Sequence, residues 1–267
     1  MNRMALDEAK IAHDFADMLD EEKRAVDEWL ITQLHLRVGD EILETACGTG
    51  GAGMSVAAAL RPPGRVFCSD NSPERLDGAR AVARRRGVTN VVFRRLDAQQ
   101  LELPACSMDG VVCRLGFQFM SDVCAALSEA HRVLHPGRCL ALGVWSEREH
   151  NPWRSIPEDV LGLLSSAPGP FALADESLLR RLLTDAGFVD IRVGRVRADH
   201  RYSSANGFWT MCMRKVRDAR EAFERLDPER RVIVRQKILD RLSERTRNEE
   251  GFVVPAEMLM AAGTRRS

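Results

Sequence analysis

A glycine-rich segment is the first feature of this chain whose residue types and spacing could do chemistry. Gly48, Gly50 and Gly53 follow a short apolar run and precede an Ala-rich segment of helical character. Glycines between a strand and a helix permit a tight turn and let a ligand contact the backbone at the helix N-terminus. The spacing alone fits a dinucleotide site, the site of another nucleoside cofactor, or a turn with a purely structural role.

Three carboxylates near this segment distinguish these interpretations. Glu44, four residues before the first glycine, would repel a pyrophosphate but could accept hydrogen bonds from a cationic amino-acid group. Asp70 ends a second apolar run, where a carboxylate can bind both hydroxyls of a ribose. Asp97 follows a third run, within reach of an adenine amino group. Together they predict a ligand that has an amino-acid end, a ribose and an adenine, and no phosphates.

The elements that must position these residues form a repeating pattern. Short apolar runs alternate with segments of helical periodicity between residues 42 and 145. This alternation predicts right-handed βαβ crossovers, and therefore a doubly wound α/β fold with a mostly parallel sheet. Ligands of such sheets bind at the carboxyl ends of the strands. The strands are predicted from residue 42 and over residues 65–69, 91–93, 111–113 and 139–145.

Outside this region the chain is predicted to be largely helical. The periodicity indicates helices over residues 5–36 and 176–186, and helical structure throughout 204–247. Four prolines make the segment 146–174 a predicted loop. Strands are predicted at 189–193 and 258–262, and the whole chain is predicted to be one domain with helical additions.

Four segments resemble the motifs of Rossmann-like (class I) methyltransferases that use S-adenosylmethionine (SAM). They occur in the order typical of that family, and the chain is similar to its small-molecule branch, such as the ubiquinone/menaquinone C-methyltransferases. The segments are residues 42–50 (ILETACGTG), 65–70, 96–98 together with 103–104, and 132–137.

The resemblance implies a seven-stranded sheet whose last strand is antiparallel and lies between strands five and six. It implies an N-terminal helical cap (1–37), a SAM-binding core (38–145) and a substrate-side half (146–267), in which the helical insertion 204–247 forms part of a lid. Ala46 stands where the family often has a glycine, and Arg138 replaces another usual glycine. Close relatives tolerate alanine at the first position, so neither departure argues against SAM binding.

SAM is the cofactor that the resemblance implies. Methyl transfer is an in-line displacement, so a base is needed only when the acceptor must lose a proton. His150, in the segment after the fifth strand, is the candidate base. The predicted cofactor contacts are Glu44, Ala46, Gly48, Gly50, Asp70, Asn71, Asp97, Ala98 and Arg114.

The leading functional hypothesis is methylation of a quinone-like, polyketide or other natural-product acceptor at oxygen or carbon. One alternative is a methyltransferase-fold protein that uses SAM without methyl transfer, for a rearrangement or cyclisation. Another is an NAD(P)-dependent oxidoreductase. Nucleobase amino-methyltransferases carry an Asn/Asp-Pro-Pro-aromatic motif after strand four, where this chain has residues 114–117 (RLGF), so methylation of DNA bases is disfavoured.

The overall composition limits the partners. Thirty-nine basic residues balance thirty-nine acidic ones, whereas nucleic-acid-binding proteins usually have a basic excess. Seven cysteines without a C-x-x-C pair predict reduced thiols and no metal. The first residues are too acidic for a signal peptide, and no apolar run approaches the roughly 20 residues of a membrane span. We therefore expect a soluble cytoplasmic monomer or homodimer, with a small-molecule substrate and no nucleic-acid or membrane partner.

Overall fold

The computed structural model describes residues 23–163, 169–246 and 252–266. Residues 23–34 form the first helix (α1), and the earlier part of the predicted helix 5–36 lies outside the described residues. The chain forms two compact units. The sheet unit comprises Ala25–Ser146, Pro168–Val196 and Met258–Ser267, and the helical unit includes Glu147–Ala167 and Arg197–Glu257.

The sheet unit is built on seven strands. Their bounds are β1 Glu41–Glu44, β2 Arg65–Asp70, β3 Val91–Arg95, β4 Met108–Arg114, β5 Leu134–Trp145, β6 Phe188–Arg197 and β9 Glu257–Arg265. The order across the sheet is β3-β2-β1-β4-β5-β9-β6. The pairs β1–β2, β1–β4, β2–β3 and β4–β5 are parallel, whereas β9 is antiparallel to β5, with Trp145 opposite Met258. The predicted doubly wound fold, with its last strand between strands five and six, is confirmed.

Helices connect these strands, and their ends follow ordinary capping rules. Ser72 accepts a hydrogen bond from the Arg75 backbone N–H, Pro73 occupies the first turn, and Gly87 ends the helix in a left-handed conformation. Asp122 and Asp175 cap two further helices in the same way as Ser72. The helices that accompany α1 in this unit are α2 Gly51–Ala59, α3 Pro73–Arg86, α4 Val123–Val133 and α6 Glu176–Asp185.

The helical unit departs from the predictions in two places. The segment predicted as a loop over 146–174 contains a helix, Pro152–Leu161 (α5). Pro152 is compatible with a helix because it occupies the first turn, and although Pro157 lies inside, the helix buries Trp153 and Glu158. The unit also contains an unpredicted antiparallel pair, β7 His200–Tyr202 with β8 Phe252–Val254. Three-residue strands carry too little periodicity to be predicted from sequence.

The predicted helical segment 204–247 contains three successive helices. They are α7 Ala205–Lys215, α8 Arg217–Glu224 and α9 Pro228–Ser243. Asp227 caps the last of them, and Pro228 fills its first turn, as the sequence indicates. None of the helices within the described residues combines the length and the apolar character that crossing a membrane requires.

Candidate active site

The glycine turn between β1 and α2 lies at the carboxyl edge of the sheet. Ala46, Gly48 and Gly50 all have left-handed backbone conformations, with φ angles of 51°, 56° and 85°. Gly50 precedes α2 and makes no side-chain cap to its first turn, while the Gly53 amide of that turn hydrogen-bonds to Glu44. Such a turn is suited to holding a ligand against the backbone.

The remaining glycines of the turn serve the protein interior instead. A Cβ atom on Gly53 would collide with Glu44 Oε2, and one on Gly51 would collide with the Arg114 guanidinium. At Gly48, by contrast, an added Cβ would meet no atom within 4 Å. The third glycine of the pattern therefore makes room for a buried carboxylate. Gly53 is not among the predicted cofactor contacts, whereas Gly48 and Gly50 stay predicted contacts.

Asp70 joins the glycine turn to the next helix. Its side chain is 2% exposed, and its Oδ2 accepts a hydrogen bond of 2.9 Å from the Gly48 backbone N–H. Its Oδ1 accepts one of 3.0 Å from the Ser72 backbone N–H. The Arg75 guanidinium lies 3.9 Å from Oδ2. This carboxylate therefore holds the end of β2, the glycine turn and the start of α3 in one arrangement.

A cavity of about 530 Å³ opens beside Asp70 within the sheet unit. Five of the predicted cofactor contacts line it, which places the ends of β1, β2 and β3 around one space. Asp97, on its wall, is exposed and accepts a hydrogen bond of 2.9 Å from the Gln99 backbone N–H. The lining residues are Ala46, Asp70, Asn71, Ser72, Arg75, Leu96, Asp97, Ala98, Gln99, Leu115, Gly116, Phe119, Met120 and Ser121.

Several of these lining residues are not among the predicted cofactor contacts. Leu115 has a φ of 63°, a strained conformation for a leucine, and follows β4 directly. Gln99 Oε1 accepts hydrogen bonds from the Ser121 hydroxyl (2.9 Å) and the Asp122 backbone N–H (2.7 Å), which ties the segment after β3 to the start of α4. The sequence signal for Gln99 and Leu115 as site residues is their position in the segments that follow β3 and β4.

Glu44 lies below this surface and does not line the cavity. It is 2% exposed, and burial raises the pKa of its carboxyl group to about 7, although the Arg114 charge and the Gly53 backbone amide oppose that rise. A carboxyl group with this pKa is partly protonated near neutral pH. Its charge therefore responds to any cation bound above the glycine turn.

Arg114, at the end of β4, is paired with a residue that sequence reasoning missed. Its Nη1 lies 2.5 Å from Asp27 Oδ1, and both side chains are nearly buried. Asp27 Oδ2 also accepts a hydrogen bond of 2.7 Å from the Ser55 hydroxyl on α2. An aspartate next to the buried Val26 and close to Leu30 on α1 was the signal that could have found this pair.

His150 belongs to the helical unit and is not among the residues that line the cavity. Its Nδ1 lies 3.0 Å from Glu257 Oε1 and 3.6 Å from Glu147 Oε2, and half of its side chain is exposed. These three side chains are close enough together to hold a cation. The absence of a metal, predicted from sequence, stays a prediction.

Comparison with known proteins agrees with this geometry. Residues 42–137 match the family model described as a methyltransferase domain. The chain is 31% identical over 180 residues to the demethylmenaquinone methyltransferase of Geobacillus kaustophilus, covering 61% of this chain and 77% of that protein. It is 27% identical over 180 residues to the ubiquinone/menaquinone biosynthesis C-methyltransferase UbiE of Coxiella burnetii, covering 61% and 72%.

Solved structures share the fold at lower identity. The YcgJ protein of Bacillus subtilis superposes with a TM-score of 0.62 at 15% identity, covering 90% of this chain and 98% of that one. The [4+2]-cyclase SpnF gives a TM-score of 0.56 at 20% identity, covering 91% and 80%.

The fold is that of the Rossmann-like methyltransferases, with a cavity at the carboxyl edge of the sheet. The chain belongs to the class I SAM-dependent methyltransferases, and SAM is its cofactor. The alternative of an NAD(P)-dependent oxidoreductase is therefore rejected.

Proposed function

We propose that this methyltransferase acts on a quinone-like, polyketide or other natural-product acceptor, at a carbon or an oxygen atom. The observation that carries the proposal is the 31% identity, over 77% of its length, to a protein named demethylmenaquinone methyltransferase. The cavity supports it because Leu115, Phe119 and Met120 give one wall an apolar character suited to an aromatic or polyketide compound.

The residues around the cavity fit SAM better than a phosphate-containing nucleotide. A pyrophosphate needs free backbone amides at the glycine turn. Here the Gly48 amide already donates to Asp70, and that carboxylate together with Glu44 would repel phosphate charge. A cofactor that presents a sulfonium, an ammonium group and ribose hydroxyls meets no such repulsion.

Each side chain of the site has a role in this proposal. When bound, SAM supplies a methyl group activated by its sulfonium. Asp70 accepts hydrogen bonds from the ribose hydroxyls, and Asp97 with Ala98 binds the adenine. Ala46, Gly48, Gly50 and Asn71 shape the backbone around the cofactor, while Glu44 and Arg114 set the charge beneath its amino-acid end. These assignments are supported by the lining of the cavity and by the charges below the turn.

His150 remains the candidate base for acceptors that must lose a proton. Glu257 faces its Nδ1 at 3.0 Å, an arrangement that favours a proton on Nδ1 and leaves the lone pair on Nε2. Asn151, which is fully buried, donates hydrogen bonds to the carbonyl groups of Glu147 and Glu257, both at 3.1 Å. The backbone at the two residues whose carboxylates face the imidazole Nδ1 is therefore held in place.

The setting of the enzyme is part of the proposal. We infer a cytoplasmic enzyme, either monomer or homodimer, that acts on free small molecules and not on nucleic acid. All seven cysteines are free thiols, which fits a reducing compartment. The balance of thirty-nine basic and thirty-nine acidic residues supports a partner other than nucleic acid.

The product of turnover tests the proposed reaction. The full chain is incubated with SAM and a panel of quinols without a ring methyl group, phenols and polyketides, and the products are analysed by mass spectrometry. We expect S-adenosylhomocysteine (SAH) together with a product heavier by one methylene. Turnover without a change in substrate mass would establish the alternative, a rearrangement or cyclisation. Absence of SAH formation across the panel would contradict the acceptor class.

A further inference from the structure

Gln118 is a buried amide that the proposed cofactor site does not use. It lies in the short 3₁₀ helix Phe117–Phe119 that follows β4, and the residue is only 1% exposed. Neither its Oε1 nor its Nε2 has a hydrogen-bond partner among the described residues. Buried amides are normally paired, because an unmade hydrogen bond leaves their loss of hydration uncompensated.

Asn151 shows how this chain treats a buried amide with a structural role. It is fully buried, and its Nδ2 donates to two backbone carbonyl groups. Its Oδ1 accepts from Trp153 Nε1 at 3.2 Å and from the Glu257 backbone N–H at 3.1 Å. Every polar atom of this amide is therefore paired, whereas the residues that the structure describes supply none of the partners of Gln118.

The surroundings of Gln118 connect it to the active site. Gly116 and Phe119, close to Gln118 along the chain, line the cavity, whereas the buried Gln118 is not itself among the lining residues. Phe117 packs in the hydrophobic core of the sheet unit. Successive side chains of a 3₁₀ helix are about 120° apart, so Gln118 takes a direction that differs from both the core side and the exposed Phe119 side.

We propose that Gln118 is a positioning residue for the methyl acceptor, its amide pairing with a carbonyl or hydroxyl group of that molecule. This inference rests on the proposed function. The adenosine part of SAM is assigned to Asp70 and Asp97, at the ends of β2 and β3, whereas Gln118 follows β4 on the other side of β1. A neutral amide both donates and accepts, which matches an uncharged oxygen function such as a quinol hydroxyl or a ketone.

The test compares Gln118→Met, which keeps the length but not the amide, with Asn151→Leu as a matched control. Thermal unfolding of the ligand-free chains should give Gln118→Met a Tm equal to wild type or about 2–4 °C higher. Asn151→Leu should lower the Tm clearly. Titration with SAH should give equal affinities, within about twofold, for Gln118→Met and wild type.

Acceptor recognition is measured with 1,4-naphthoquinol as the probe, titrated under anaerobic conditions into the SAH-loaded protein. We expect Gln118→Met to bind this probe at least about tenfold more weakly than wild type, because a site built around a hydrogen bond discriminates strongly when that bond is lost. Equal probe affinity would overturn the inference.

Two other results would also overturn it. A fall in Tm comparable to that of Asn151→Leu would show that the Gln118 amide is structural, and a tenfold loss of SAH affinity would make it a cofactor ligand. If the wild-type enzyme did not bind the quinol, that result would count against the proposed acceptor class. If the wild-type enzyme turned over a substrate without adding a methyl group, that result would count against the proposed reaction. The failure of each idea is therefore seen in a different measurement.

Discussion

The Gly48 backbone N–H donates a hydrogen bond of 2.9 Å to Asp70 Oδ2, across the carboxyl ends of β1 and β2. This contact fixes the glycine turn to the carboxylate that the proposal assigns to the ribose. It also occupies a backbone amide that a phosphate would need. The identity of the nucleoside at this edge therefore depends on the side chain at position 70.

Replacement of Asp70 by alanine should weaken SAH binding. Loss of the hydrogen bonds to the ribose, together with loss of the Gly48 contact, should cost about 1.5–3 kcal/mol, measured by isothermal titration. Asp77→Ala is the matched control, because Asp77 lies on α3, the helix that follows Asp70, is largely exposed and pairs with Arg80. Unchanged SAH affinity in the Asp70 variant would mean that the ribose lies elsewhere.

Glu44 should make the stability of the ligand-free enzyme depend on pH. Burial raises the pKa of Glu44 from its ordinary value of 4.5 to about 7. Between about pH 4.5 and pH 7 the folded state therefore holds a proton that the unfolded state releases. The contribution of this proton to the free energy of unfolding is complete below about pH 4.5 and is lost as the pH rises through 7. Relative to Glu44→Gln, wild type should lose about 3 kcal/mol of unfolding free energy between pH 4.5 and pH 8.

Urea denaturation of wild type and Glu44→Gln at both pH values measures this difference directly. The neutral glutamine should be the more stable residue at pH 8. If both proteins showed the same pH dependence, the carboxyl group of Glu44 would not be the source of the effect.

Gly53→Ala should destabilise the fold through Glu44. An added Cβ would collide with Glu44 Oε2 and lie 2.7 Å from Cys68 Sγ, so the core must shift, at a cost of about 1–3 kcal/mol. In a Glu44→Ala background the carboxylate that the added Cβ would meet is absent, so Gly53→Ala should lower the unfolding free energy much less. A double-mutant cycle in unfolding free energy measures this coupling. Strictly additive effects would contradict the packing described here.

The Arg114–Asp27 ion pair should contribute to stability because it is almost buried. Arg114→Met leaves the Asp27 carboxylate without its cation, and we expect a loss of about 3–5 kcal/mol in unfolding free energy. Arg80→Met removes the cation from an exposed pair with Asp77 and should cost less than about 1 kcal/mol. Similar losses in the two variants would show that the Arg114 pair is not protected from solvent.

The sequence predicted the sheet and much of the cavity for one physical reason. Parallel strands place their carboxyl ends at one edge, so residues such as Asp70, Asp97 and Ala98 had to converge once the strands were recognised. The sequence could not show that Asp27 pairs with Arg114, because the two residues are 87 positions apart and meet only through tertiary packing.

Other errors have local causes. Pro152 and Pro157 led to the prediction of a loop where α5 forms. Pro152 is compatible with a first helical turn, and the burial of Trp153 stabilises the helix. The glycine spacing alone left the role of the third glycine open, and the structure shows that Gly53 accommodates Glu44. His150 belongs to the helical unit and is not among the residues that line the cavity, so its role as a base stays a prediction.

A crystal structure of the enzyme with SAH would show directly where the cofactor binds. We expect the two ribose hydroxyls to bind the Asp70 carboxylate, the adenine amino group to lie at Asp97, and the sulfur to face the end of β4. An SAH molecule bound away from Asp70, or a nucleoside diphosphate bound at the glycine turn in competition with it, would contradict these assignments.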